Sequence, residues 1–135
     1  MIVSEHNEAD IQRLVHDFYD QVREHQTLGP VFNHHINDWD THLATMVDFW
    51  SSLLLKTARY SGSPMMKHAN LPELSAELFE SWLALFEQTT STHPNQALAT
   101  QARAYARRIA RSLWMGYQIT HHPEAKPQEL RYDLS

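Results

Sequence analysis

His68 lies in the run Pro64-Met65-Met66-Lys67-His68-Ala69-Asn70-Leu71-Pro72, between two prolines and directly ahead of an apolar helical stretch that carries Trp82. Proline fixes its own φ and restricts the residue before it, so the backbone on either side of His68 has few conformations open to it. A neutral imidazole on a restrained backbone beside apolar surface suits the ligation of a metal such as iron. The competing reading is a solvated linker histidine, one of ten histidines in the chain. Three further residues bear on the choice. Tyr19, His42 and Trp82 each border or join an apolar helical stripe on a separate segment, and each carries a hydrogen-bonding group that burial would have to satisfy.

Composition narrows the chemistry. The 135 residues suit a single domain, and 42 % hydrophobic with 20 % charged residues suits a packed core. Only three glycines are present, leaving no Gly-rich phosphate loop. With a net charge of -5 and the basic residues concentrated at Arg103, Arg107, Arg108 and Arg111, nucleic acid is not an expected partner. Three of these arginines recur at i+4 as the solvated stripe of a helix. The absence of cysteine excludes disulfides, thiolate metal sites, thiol nucleophiles and covalent thioether attachment of a cofactor. Neither a leader-like start nor an apolar run of membrane-spanning length occurs, so the expected location is cytoplasmic and no membrane partner is expected.

The elements that would position these residues are helical. Ile11, Leu14, Val15, Phe18 and Val22 predict an amphipathic helix from Glu8 to about Glu24, stopped by Leu28-Gly29-Pro30, with Tyr19 turned inward and its hydroxyl in need of a partner. After a short segment holding Val31 and Phe32, Asn37-Asp38 offers a cap for a helix from about Trp39 to Thr57. Its wide apolar face includes Trp39, Leu43, Met46, Phe49, Trp50, Leu53 and Leu54, with His42 on the flank. Pro72 suits the first turn of a central helix lined by Leu74, Leu78, Trp82 and Leu85, and by Phe79, Leu83 and Phe86. A last helix is expected from about Asn95 to Gln118, with Leu98, Ala102, Tyr105, Ile109 and Leu113 inward. Beyond it His121, His122, Pro123 and Pro127 suggest a polar, disordered tail.

In these ordered motifs the sequence resembles the group III truncated haemoglobins, bacterial globins built as a two-on-two helical sandwich. The motifs are Phe18-Tyr19, Leu28-Gly29-Pro30-Val31-Phe32-Asn33, Asp38-Trp39-x-x-His42, Phe49-Trp50, Arg59-Tyr60-x-Gly62-x-Pro64, His68-x-x-Leu71-Pro72 and Trp82-Leu83-x-Leu85-Phe86. The resemblance implies an all-α truncated globin domain over residues 5–119, followed by the tail at 120–135. It implies non-covalent haem b with His68 as proximal iron ligand, and Tyr19, Trp82 and His42 as distal groups, His42 either touching the ligand or gating solvent. Phe32 would pack on the haem face. Met46, Phe49, Leu53, Leu78, Phe79 and Phe86 are further wall candidates, and Lys56, Arg59 and Lys67 candidates to meet the propionates.

The expected function is then reversible binding of dioxygen and other small diatomic ligands, carbon monoxide and nitric oxide among them, with cyanide as a further iron ligand. An O–H or N–H aimed at the charge-bearing outer atom of such a ligand stabilises the bound state. The alternative is an enzyme of the same fold, turning over nitric oxide or peroxide with electrons from a separate reductase. Peroxide cleavage favours a proximal histidine hydrogen-bonded to a carboxylate. No Asp adjoins His68 and Glu73 is the nearest acid downstream, so a ligand-binding protein is preferred over a dedicated enzyme. A third reading is a non-haem metal or plain helical interaction domain. It has only the pairs His6/Asp10 and His16/Asp20 on one polar face, without the Glu-x-x-His of a di-iron bundle.

Overall fold

The computed structural model describes residues 7–58, 60 and 74–130. Among them are five helices and no strand: α1 (Glu8–Glu24), α2 (Leu28–His35), α3 (Trp39–Leu54), α4 (Ala76–Ser91) and α5 (Gln96–His121). Four begin at a side-chain cap. Asn7, Asp38, Ser75 and Asn95 each accept a hydrogen bond from the backbone N–H three residues on, which satisfies donors the helix itself leaves open. The cap of α4 is therefore Ser75, later than the turn that Pro72 suggested. Pro72 lies outside the described residues.

The first corner differs from its sequence reading. Leu28-Gly29-Pro30 does follow the end of α1, but these residues open a two-turn helix of their own rather than a linking segment. Pro30 sits in the first turn, where its missing N–H costs nothing. The His25 ring Nδ1 accepts the N–H groups of Thr27 (3.1 Å) and Leu28 (3.0 Å), capping α2 from outside it. Gly29 permits the close approach of α2 to α1. A Cβ there would stand 2.7 Å from the carbonyl oxygen of Arg23, a backbone atom that cannot swing aside.

The helices pair two on two, α1 with α3 and α4 with α5, and α1 also packs on α4. The α1 stripe lies at the centre: Ile11, Leu14, Val15, Phe18, Tyr19 and Val22 are all buried. Against α4, α5 contributes Leu98 and the small residues Ala99, Ala102, Ala106 and Ala110, which let the two helices approach closely. Leu113 joins this core as expected, whereas Tyr105 and Ile109 are only half-buried.

The α4–α5 corner is fastened to the start of α1. His93, 5 % exposed, accepts the Asn95 N–H on Nδ1 (2.9 Å). Its Nε2 lies 3.0 Å from the Asp10 carbonyl oxygen, so the neutral ring carries its proton on Nε2 and donates there. The Asn95 amide also donates to the Asp10 carboxylate (2.9 Å). At the other end α5 runs to His121, and residues 122–130 return along it. The Gln118 amide accepts the Gln128 N–H (2.7 Å) and donates to the Gln128 carbonyl (3.0 Å). Arg111 forks onto Glu129 (2.8 and 3.1 Å), which holds that exposed carboxyl below the usual carboxylate range, and Leu130 is buried.

Candidate functional site

Tyr19 occupies the α1 position one turn after Val15 and enters the core as the stripe requires. Its ring is 4 % exposed and meets four others: Phe18 at 5.0 Å between centroids, His42 at 5.2 Å, Phe32 at 6.1 Å and Trp39 at 6.1 Å. These come from α1, α2 and α3, so three helices converge on one phenol. The fourth contributor is α4. Trp82 packs edge-on against Phe18 (5.2 Å), and its indole lies close enough to the Tyr19 hydroxyl to ease ionisation of the phenol. An indole can only donate, so toward Tyr19 it can serve the phenol oxygen and leave the phenol hydrogen for another acceptor.

Burial dominates the electrostatics of this pair. Removing the phenol from water raises the Tyr19 pKa well above that of a solvated tyrosine, and the neighbouring Trp82 indole offsets only part of the rise. Tyr19 is therefore a neutral donor throughout the physiological range. His42 stands one turn into α3, placed by the Asp38 cap, and its ring meets Tyr19 and Trp39 edge-on. The sequence thus placed Tyr19, His42 and Trp82 on separate segments, and the fold brings all three together.

Beside them lies apolar surface that the described helices leave incompletely covered. His42, Met46, Phe49 and Leu53 are half-buried along one stripe of α3, as are Leu78 and Trp82 along α4, and Phe32 projects from α2. Such a patch beside a buried O–H donor suits a flat hydrophobic group with a polar centre. The segment joining α3 to α4 contains His68, Arg59 and Lys67, which lie outside the described residues. Among the described residues no group of three or more His, Cys, Asp or Glu is gathered closely enough to hold a metal ion.

Two wall candidates lie elsewhere in the packing. Phe86 is 2 % exposed and sandwiched between Trp82 (5.2 Å, 12°) and Trp50 (5.3 Å, 19°), one layer behind the surface. Phe79 packs against Trp114 of α5 at 5.6 Å. Lys56 points to Tyr105, its ammonium donating to the phenol oxygen at 3.1 Å.

No family model matches the chain. Over 108 residues it is 36 % identical to the group 3 truncated haemoglobin ctb of Campylobacter jejuni, covering 77 % of this chain and 85 % of that protein. This chain belongs to the group III truncated haemoglobins. The crystal structure of a group III truncated haemoglobin from Campylobacter jejuni superposes with a TM-score of 0.79 at 31 % identity, covering 93 % of this chain and all of that one. Membership makes this protein a globin, and with the fold it implies haem and small gaseous ligands in general. Among the described residues no helix is long and apolar enough to cross a membrane.

Beyond the expected set, the site includes Trp39 and Phe18. Trp39 contacts both Tyr19 and His42, and Phe18 joins Tyr19 to Trp82. The Trp39-x-x-His42 spacing already placed both residues on one side of α3. No sequence signal showed that Phe18, an ordinary stripe residue, would sit between the two donors.

Proposed function

We propose that this globin binds haem b non-covalently through His68 and holds dioxygen reversibly, with carbon monoxide, nitric oxide and cyanide as competing ligands, in the cytoplasm. The observation that carries the reading is the buried Tyr19 hydroxyl, with the Trp82 indole beside it and a half-buried apolar patch alongside. A chain without cysteine has no thioether route to covalent haem. When bound, haem supplies the iron that takes up the gas.

The chain's own residues do the rest. Phe32, Met46, Phe49, Leu53 and Leu78 exclude water and provide the apolar bed, while Arg59 and Lys67 are candidates to meet the haem carboxylates. Trp82 donates to the Tyr19 oxygen and so polarises the phenol O–H. Tyr19 donates to the outer atom of the gas. Such a bond to a charge-bearing acceptor contributes about 1.5 to 3 kcal/mol, or roughly ten- to a hundredfold in release rate. His42 flanks the phenol and controls solvent access rather than donating first.

A reversible carrier is favoured over an enzyme because the pocket combines a firmly neutral phenol, the donor to a bound ligand, with an indole that supports it. Neither is a base that would take a proton from peroxide. The test is an absorption spectrum of the purified protein in its ferric, ferrous and carbon-monoxide-bound states, with His68→Ala alongside. The expected result is a haem spectrum whose proximal coordination in the variant is restored by added imidazole. A variant with unchanged ferrous coordination would assign the iron to another ligand, Met65 or Met66 being the nearest.

A further inference from the structure

The side of the pocket between α1 and α3 is closed outside Tyr19 by a bracket of three residues, Trp39, Arg23 and Asn33. Tyr19 is innermost; Trp39 lies half-buried outside it; Arg23 and Asn33 are exposed outside Trp39. The Arg23 guanidinium carbon sits 4.7 Å above the indole centroid. The indole N–H donates to the Asn33 side-chain oxygen (3.1 Å), and the Asn33 amide donates back to the Arg23 carbonyl (3.3 Å). The last turn of α1, the body of α2 and the first turn of α3 are thus joined through one indole ring.

The register is set from both sides. Arg23 follows Tyr19 at i+4 on α1, and His42 follows Trp39 at i+3 on α3, so each pair shares a helix face. Asp38 fixes the start of α3 by accepting both the Thr41 N–H (3.1 Å) and the Thr41 hydroxyl (2.7 Å). With its first turn pinned, the Trp39 ring lies 5.6 Å from His42 and 6.1 Å from Tyr19. A molecule passing between these helices must displace the indole, which breaks its hydrogen bond and its contact with Arg23.

We propose that Trp39, latched by Arg23 and Asn33, is a positioning residue that closes the solvent side of the pocket and limits the entry of gas and water past His42 to Tyr19. The proposal rests on the reading that Tyr19 and Trp82 face the ligand. An exposed cation–π contact and one neutral hydrogen bond together correspond to roughly tenfold in the population of the open ring. Removing the latch should raise the entry rate by about that factor, while release of dioxygen, governed by Tyr19, changes less.

The test compares wild type with Trp39→Ala, Trp39→Phe, Asn33→Ala and Arg23→Gln in the haem-loaded protein. Carbon monoxide association is measured after flash photolysis. Solvent exchange of the Trp82 indole proton is followed by NMR in the diamagnetic carbon-monoxide-bound form. Trp39→Ala should speed both by about tenfold or more, with Asn33→Ala, Arg23→Gln and Trp39→Phe between it and wild type. The two latch variants alter exposed residues and keep the test valid if the alanine variant unfolds. Association and exchange that stay within a factor of two of wild type in folded variants would overturn the proposal. Tyr19→Phe separates the two ideas: if it speeds dioxygen release while the latch variants leave entry unchanged, only the latch falls. If release is also unaltered, the reading of the pocket falls with it.

Discussion

The Tyr19 phenol is where sequence and structure meet most closely. The stripe of α1 required its ring to be buried and its hydroxyl to have a partner, but periodicity within one helix cannot name a residue on another. Trp82 is 63 positions away, and only the packing of α4 across α1 brings its indole to the hydroxyl. Burial has a consequence that can be measured. An unfolded tyrosine loses its proton near pH 10, whereas folded Tyr19 keeps it to higher pH, so the folded state binds more protons above that point. The stabilisation from neutral Tyr19 is complete below pH 10 and is lost as pH rises toward the folded pKa. The slope attributable to this residue is about 1.4 kcal/mol per pH unit. Denaturant unfolding between pH 10 and 11 should therefore show a shallower decline in Tyr19→Phe than in wild type, and parallel declines would mean that the phenol is solvated.

At the scale of elements, the helices were legible and two of their corners were not. The stripes of α1 and α3 and the Asp38 cap follow directly from period and residue type, while Asn95, expected inside the last helix, caps it instead. The short helix α2 escaped because Leu28-Gly29-Pro30 has the composition of a stop signal, yet proline in a first turn and glycine beside a carbonyl are both compatible with a helix. Gly29→Ala forces a Cβ within 2.7 Å of the Arg23 carbonyl oxygen, so α2 must shift. We expect a loss of about 1 to 3 kcal/mol by chemical denaturation, the range for an overpacked site. His93, in a Thr-rich stretch ahead of a proline, carried no signal of burial; its partners lie on α1 and just after it in the chain. His93→Ala removes two hydrogen bonds and buried volume, and should cost about 2 to 4 kcal/mol. A loss below about 0.5 kcal/mol would show that the corner is held by Asn95 and Asp10 alone.

For the whole molecule, order along the chain was more informative than any single residue. Each of Tyr19, His42, His68 and Trp82 has an ordinary structural explanation, but their sequence of motifs matched a globin whose fold brings three of them together; His68 lies outside the described residues. The polar composition after Gln118 hid how the chain returns along α5, because the contacts use one buried amide, one exposed ion pair and one leucine rather than a periodic stripe. Gln118→Ala leaves the Gln128 N–H and carbonyl without their shared partner and should lower stability by about 1 to 3 kcal/mol.

The central claim is that Tyr19 and Trp82 act as one hydrogen-bonding unit on the bound gas. It is tested most directly by dioxygen dissociation rates of wild type, Tyr19→Phe, Trp82→Phe and the double variant, with carbon monoxide dissociation as the control. Tyr19→Phe should speed dioxygen release about ten- to a hundredfold, and the double variant should fall short of the product of the two single effects, because Trp82 works through the Tyr19 oxygen. Carbon monoxide, with less charge on its outer atom, should change only a few-fold. Dioxygen release unchanged in Tyr19→Phe, or accelerated equally for both gases, would contradict the account.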